Sequence, residues 1–299
     1  MPNIWGHFLV DMTSKLWIFA DSEFKENIKD FKVAYIGEEE PEGNYLEFYK
    51  MLGIEKEQLI HIEKPARFQK VFVPEAGFRP CIWYTEEYQR MFDLMTESVL
   101  KDKTLKEKFK NIKKIYFSRR KFGKAAATEF GEEYIEQCFN QNGYESLGPE
   151  TLTLREQIYV WNHAEAIACM NGTIPLNVVF CKNEKLKLTI LNKMSIYHKN
   201  PYIYLYMRNI QAEFIDIYKE PLKGYPKSLG EGPYLIKTGK EFFHYCQREK
   251  FEIPYTGMKL KFYDLKQEIR YYLCVIGIGN KIRRVGSYIK KKNVKKVIR

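Results

Sequence analysis

Lys113-Lys114-Ile115-Tyr116-Phe117-Ser118-Arg119-Arg120 and, further along, Ala166-Ile167-Ala168-Cys169-Met170-Asn171-Gly172-Thr173 decide how this chain folds. Each contains a short apolar run, Ile115–Phe117 in the first and Ala166–Met170 in the second, and ends in polar or turn-forming residues, the pattern of a buried strand. The residues between them keep a βα rhythm: a helix over Thr128–Asn140 ended by Gly143, a strand over Tyr144–Leu147 and a helix over Leu154–His163. A short helix through Phe180 and strands at Lys187–Leu191 and Phe214–Ile217 complete the set. Strands alternating with helices at this spacing predict an α/β fold with a parallel sheet covered on both faces.

Open sheets of this kind bind ligands beyond the carboxyl ends of their strands. One such end carries Arg119 and Arg120, with Lys124 across Gly123 in the same loop. A guanidinium offers a planar fork to a phosphate. The other end carries Asn171, Gly172 and Thr173, followed by Pro175 and Asn177. Glycine permits a tight turn and close ligand approach, so backbone N–H groups and the Thr173 hydroxyl can meet phosphate oxygens. Together these groups can grip a diphosphate without a metal. The plainer alternatives are a solvated basic turn for the first cluster and a simple helix cap for the second.

The first 110 residues alternate helix and strand less cleanly: a buried helix over 5–20, strands at Phe31–Ile36, Leu59–Ile62 and Lys70–Val73, and helices at Tyr45–Leu52 and Thr85–Leu100. The Lys-rich stretch 101–112 is the candidate linker. The first helix is apolar nearly all round, yet His7, Asp11 and Ser14 share one stripe at i, i+4 and i+7. Such a stripe faces a cleft or a satisfied polar network, and His7 with Asp11 is a candidate acid/base pair. Glu156 and Gln157 lie early in the Leu154–His163 helix, where an acidic residue also simply suits the helix dipole. Thr238-Gly239-Lys240-Glu241 has the capping-box form and opens a helix through Phe251, and Leu265–Ile278 reads as another.

The chain has 299 residues and a formal net charge of +11. Nine basic residues and no acidic one fall in Lys281–Arg299, so the body is close to neutral. A near-neutral body argues against nucleic acid as a partner, while a basic tail suits an anionic membrane surface. Ile282, Val285, Tyr288 and Ile289 are spaced for one helical face within that tail, against the plainer reading of a solvated end. The six cysteines form no CxxC pair and no metal-ligand spacing, which predicts buried free thiols in a reducing compartment. Ile4–Ala20 lacks a basic leader region and is interrupted by His7, Asp11 and Lys15, so neither a signal peptide nor a spanning helix is expected. The expected location is cytoplasmic. No Asp-x-Asp occurs, which argues against the metal-dependent sugar-nucleotide site built on that motif.

The ordered series Gly6-His7-Phe8-Leu9-Val10-Asp11, Val71-Phe72-Val73-Pro74-Glu75, Ile115-Tyr116-Phe117-Ser118-Arg119, Thr128-Glu129, Pro149-Glu150-Thr151-Leu152, Glu156-Gln157 and Asn171-Gly172-Thr173 with Asn177 and Phe180 resembles glycosyltransferase family 61, in particular its bacterial capsular polysaccharide members. The resemblance covers roughly residues 3–220. It implies a GT-B architecture, two Rossmann-like domains facing across a cleft: 1–110 on the acceptor side, 111–220 holding the nucleotide-sugar. Residues 221–299 would form a C-terminal helical extension packing back on the body. It also implies inverting, metal-independent transfer to a glycan or lipid-linked glycan acceptor, with no cofactor. Arg119, assisted by Lys124, would then neutralise the leaving diphosphate. Gly172, Thr173 and Asn177 would line the nucleotide site, and His7 and Asp11 would meet the acceptor hydroxyl from the opposite domain. Many members carry His-Gly-Ala where this chain has Asn171-Gly172-Thr173. A polysaccharide pyruvyl transferase and a non-catalytic membrane-associated scaffold for capsule assembly are the competing readings.

Overall fold

The computed structural model describes residues 4–26, 30–37, 39–219 and 232–276. The tail Lys281–Arg299 lies outside the described residues, as do its apolar positions Ile282, Val285, Tyr288 and Ile289. Strands in chain order are β1 Val33–Tyr35, β2 Leu59–His61, β3 Phe78–Arg79, β4 Trp83–Tyr84, β5 Lys114–Phe117, β6 Glu129–Phe130, β7 Glu145–Leu147, β8 Ala166–Met170, β9 Lys187–Asn192, β10 Ala212–Asp216 and β11 Tyr234–Leu235.

A five-stranded sheet has the order β10-β9-β8-β5-β7. β8 is buried at all five positions because Ala, Ile, Cys and Met leave no polar face to hydrate. It pairs in parallel with β5, with Lys114 opposite Ala166 and Phe117 opposite Cys169. Chain order reverses between β5 and β8, and in open α/β sheets such a switch point is where ligands bind, beyond the strand ends. The helix Leu154–His163 joins β7 to β8 and buries Leu154, Ile158, Val160 and Trp161.

Contacts divide the described chain into two compact units, each discontinuous in sequence. One comprises 1–117, 149–190 and 198–213, the other 118–148, 191–197 and 214–299. Boundaries at 110 and 220 are therefore not where the contacts separate, because 149–190 clusters with the N-terminal residues. Within 1–110 the described parallel pairing is limited to β1 with β2, beside the antiparallel hairpin β3–β4. Lys70–Val73, expected as a strand, has no regular structure, and Val71, Phe72 and Val73 are exposed. Apolar residues alone do not make a strand where no neighbour supplies the ladder.

The stretch 5–20 is helical but irregular: an α turn over Trp5–His7, a π turn over Phe8–Met12 and a 3-10 segment over Thr13–Ala20. The helix Asn200–Met207, with Pro201 in its first turn, has no counterpart in the sequence reading. In the second unit β6 pairs with β11, and Phe130, Leu235 and Tyr271 form a small core beneath the long helix Gly257–Val275. The capping box read at Thr238–Glu241 is not made. Gly239 caps the helix Lys240–Arg248 without a side-chain bond, and Glu241 accepts from the Asp216 N–H instead. Cys138, Cys169, Cys181 and Cys246 are free and buried, Cys274 is partly buried, and Cys81 is exposed.

Ile167, the second residue of β8, has no exposed surface. Ile167→Ala should lower unfolding stability by about 2–5 kcal/mol, the usual cost of emptying such a site, as read from the shift in urea midpoint.

Candidate active site

The segment 5–12 is anchored by aromatic packing. The Trp5 ring stacks on Phe8 at 5.3 Å, and Phe8 meets Phe48 edge-on at 5.1 Å. Gly6 lets this backbone lie directly on the residues that follow β8. A Cβ there would fall 3.0 Å from Thr173 Oγ1 and 3.2 Å from Leu176 Cδ1. The Trp5 indole N–H donates to Asn177 Oδ1 at 2.7 Å, and Asn177 Nδ2 donates to Gln157 Oε1 at 2.8 Å. Gln157 Nε2 donates in turn to the carbonyls of Pro149 and Leu152. Asn177 and Gln157 are both buried, so this chain of bonds fixes the N-terminal segment against the 171–177 turn.

His7 and Asp11 emerge from that anchored segment. His7 Nδ1 and Asp11 Oδ2 are 2.8 Å apart, and the side chains remain 58% and 53% exposed. The π turn between them is held from below. The Leu9 carbonyl accepts from the Thr13 hydroxyl at 2.7 Å and from the Tyr204 hydroxyl at 3.0 Å. A Thr13 hydroxyl bonding back to residue i−4 competes with the regular ladder, which is why the apolar run does not form one continuous α-helix. Burial, then the neighbouring Tyr88, pushes the Tyr204 hydroxyl well above its ordinary pKa, and the Asp11 charge adds to the shift.

His198 was not singled out from sequence, where it stands alone in an irregular stretch. Burial, then the neighbouring His7, pushes its pKa down. Its Nδ1 is buried and makes no hydrogen bond with the described residues. His198 and His7 belong to the same compact unit.

Gly172 adopts φ +151° with open space above it, and Thr173 caps the 3-10 segment Ile174–Phe180, with Pro175 in its first turn. Asn171 is buried. His7 and Asp11 thus share a compact unit with Asn171, Gly172, Thr173 and Asn177, which corrects the expectation that the acid/base pair meets the turn from an opposite domain. Asn177 spends its polar atoms on Trp5 and Gln157, and Gln157 on Asn177 and the Pro149 and Leu152 carbonyls, which makes both positioning residues here. Glu156 is the third residue of its helix. It closes a capping box with Thr153 and pairs with Lys108, so its carboxylate serves the helix end.

Arg119 and Arg120 belong to the second unit and are engaged there. The Arg119 guanidinium pairs with Glu129 at 3.1 Å, and its backbone N–H donates to Glu132. Lys193, 2% exposed, reaches the same Glu129 at 2.7 Å. Two cations thus face two carboxylates, and the cluster carries no net charge. Burial would raise the Glu129 carboxyl, but Lys193 and Arg119 overcome it and hold it below the usual range. Arg120 bonds Glu136 at 2.6 Å and lies 3.4 Å from Glu133. Lys124 lies in the short helix Gly123–Thr128, and its side chain is outside the described atoms. Glu129 as the carboxylate paired with Arg119, and Lys193 as the second cation on it, were not read from the sequence.

Glu129→Gln should destabilise the protein by about 3–5 kcal/mol, because Lys193 is left buried without its counter-charge. The folded carboxyl ionises below its unfolded value of 4.5, so its contribution is complete above that pH and is lost as pH falls through the lower folded value. Urea midpoints measured across acid pH should show this loss in the wild type and its absence in the variant.

Among the described residues no group of three or more His, Cys, Asp and Glu side chains is placed to hold a metal ion. No helix among them is long and apolar enough to cross a membrane. A comparison with curated proteins returned no match. The family profile Glycosyltransferase 61 matches residues 5–208, a span that includes His7, Asp11, Thr173, Asn177 and His198. With the greater part of its length matched, the chain belongs to glycosyltransferase family 61.

Proposed function

We propose that this glycosyltransferase moves a sugar from a nucleotide-sugar donor to a glycan or lipid-linked glycan by a single, inverting and metal-independent displacement. The observation that carries the reading is the His7–Asp11 pair at 2.8 Å on a segment seated against the Gly172-Thr173 turn. A carboxylate can only accept, so His7 Nδ1–H donates a hydrogen bond to Asp11 Oδ2, which leaves the Nε2 lone pair as the base. Nε2 removes the acceptor hydroxyl proton as that oxygen bonds to the anomeric carbon. The bond from that carbon to the diphosphate oxygen breaks, and its electron pair leaves with the nucleoside diphosphate.

Charge developing on the leaving group needs fixed donors. In this reading the backbone of the Gly172-Thr173 turn and the Thr173 hydroxyl supply them. The biological setting is surface polysaccharide synthesis of the capsular kind, on the inner face of the cytoplasmic membrane, with Lys281–Arg299 against anionic lipid. The family resemblance and the basic tail support that placement.

His7→Ala and Asp11→Asn should each lower kcat by about a hundredfold to ten-thousandfold, the range for losing a general base, while nucleoside diphosphate affinity stays within about twofold. Steady-state kinetics on a panel of nucleotide-sugars, with calorimetric titration of the nucleotide, measures both. Wild-type turnover in both variants would place the base elsewhere.

A further inference from the structure

The helix Gly257–Val275 buries only one of its faces. Gln267 and Tyr271 are buried, and the latter joins Phe130 and Leu235 in the small core of the second unit. On the opposite side Met258, Phe262, Leu265, Ile269, Tyr272 and Ile276 are 37% to 65% exposed. Their spacing of alternately four and three residues places all six within an arc of about 80° on a helix of 3.6 residues per turn. Isolated exposed apolar residues are ordinary, but a contiguous stripe of six marks a contact surface.

The charges around this stripe are sorted by sign. Lys259, Lys261, Lys266 and Arg270 are the exposed charged residues of the helix, and they lie on both flanks of the stripe. The two carboxylates of the helix are partly buried and held by lysines of the same unit. Asp264 lies 3.7 Å from Lys237 and Glu268 2.6 Å from Lys219. The outward surface is therefore apolar along its centre and cationic along its edges, with no exposed anion on the helix. The residues that follow in sequence, Lys281 to Arg299, add nine cations and no acid.

We infer that this helix face docks on an anionic lipid surface, with the apolar stripe inserted at the headgroup boundary and the flanking lysines on lipid phosphates. An interfacial helix combines such a stripe with a cationic border, and each cation near an anionic leaflet adds to binding. A second copy of the chain fits less well. Stripes of this spacing also pair in coiled coils, but here the flanking positions would set lysine against lysine. The inference deepens the membrane placement proposed above and is independent of the catalytic assignment.

The test is co-sedimentation of the full chain with phosphatidylcholine vesicles, with and without phosphatidylglycerol. The wild type should bind only the anionic vesicles. Phe262→Ser combined with Ile269→Ser should lower that partition by about tenfold or more. Lys261→Gln with Lys266→Gln should lower it in the anionic vesicles, with the unfolding transition and turnover on a water-soluble acceptor unchanged in both variants. A parallel variant, Lys290→Gln, Lys291→Gln and Lys292→Gln, should retain binding through the helix. Wild-type partition in the Phe262/Ile269 variant overturns the inference, and so does loss of binding in the tail variant alone, which would leave membrane placement to the tail. No binding by the wild type overturns both. Sedimentation velocity showing a dimer that Phe262→Ser and Ile269→Ser dissociate assigns the face to a second copy and overturns the lipid reading.

Discussion

The candidate site depends on one close approach: the backbone at Gly6 lies where a side chain would press on Thr173 and Leu176. Everything local to it is arranged around that contact. Trp5 on one side hands its indole hydrogen to Asn177, and Asn177 is itself tied to Gln157. His7 on the other side projects towards solvent with its Nδ1 already committed to Asp11. A buried hydrogen-bonded chain of this kind is costly to break, because each member loses a partner that water cannot replace. The result is an imidazole oriented by Asp11 on a segment whose neighbouring residue, Gly6, packs on Thr173 and Leu176.

The second unit shows the opposite use of charge. Arg119, Lys193, Glu129 and Glu132 satisfy one another, and Lys193 and Glu129 are almost wholly buried. Such a cluster specifies packing and register better than it binds an external anion, since a ligand would have to compete with a carboxylate already in place. The arginine's charge is thus matched within the second unit.

Much of this was legible in the sequence where one local rule dominates. The strand Ala166–Met170 and the helix Leu154–His163 have the bounds that their apolar pattern and polar borders predict. The i, i+4 spacing permits the His7–Asp11 contact without requiring it, and the contact is made across a π turn because both side chains still share a face. What was not legible depends on partners remote in sequence. Glu129 and Lys193 are 64 residues apart, so nothing near Arg119 announces that its charge is spent. Thr13 sits within an apolar run, and its effect on the helix depends on Tyr204 meeting the same carbonyl. His198 carries no motif, and only packing brings its ring under the influence of His7. The stripe Met258–Ile276 has a helical period, but exposure rather than sequence separates it from an ordinary core face.

The central claim is that catalysis requires the N-terminal segment to sit on the Gly172-Thr173 turn, and Gly6→Ala tests it most directly. One added methyl forces Thr173 and Leu176 to yield by a few tenths of an ångström, and small misplacements of reacting groups are expensive. The account predicts kcat lower by about tenfold or more with the unfolding transition changed by no more than about 1 kcal/mol. Wild-type turnover in a well-folded Gly6→Ala protein would contradict it.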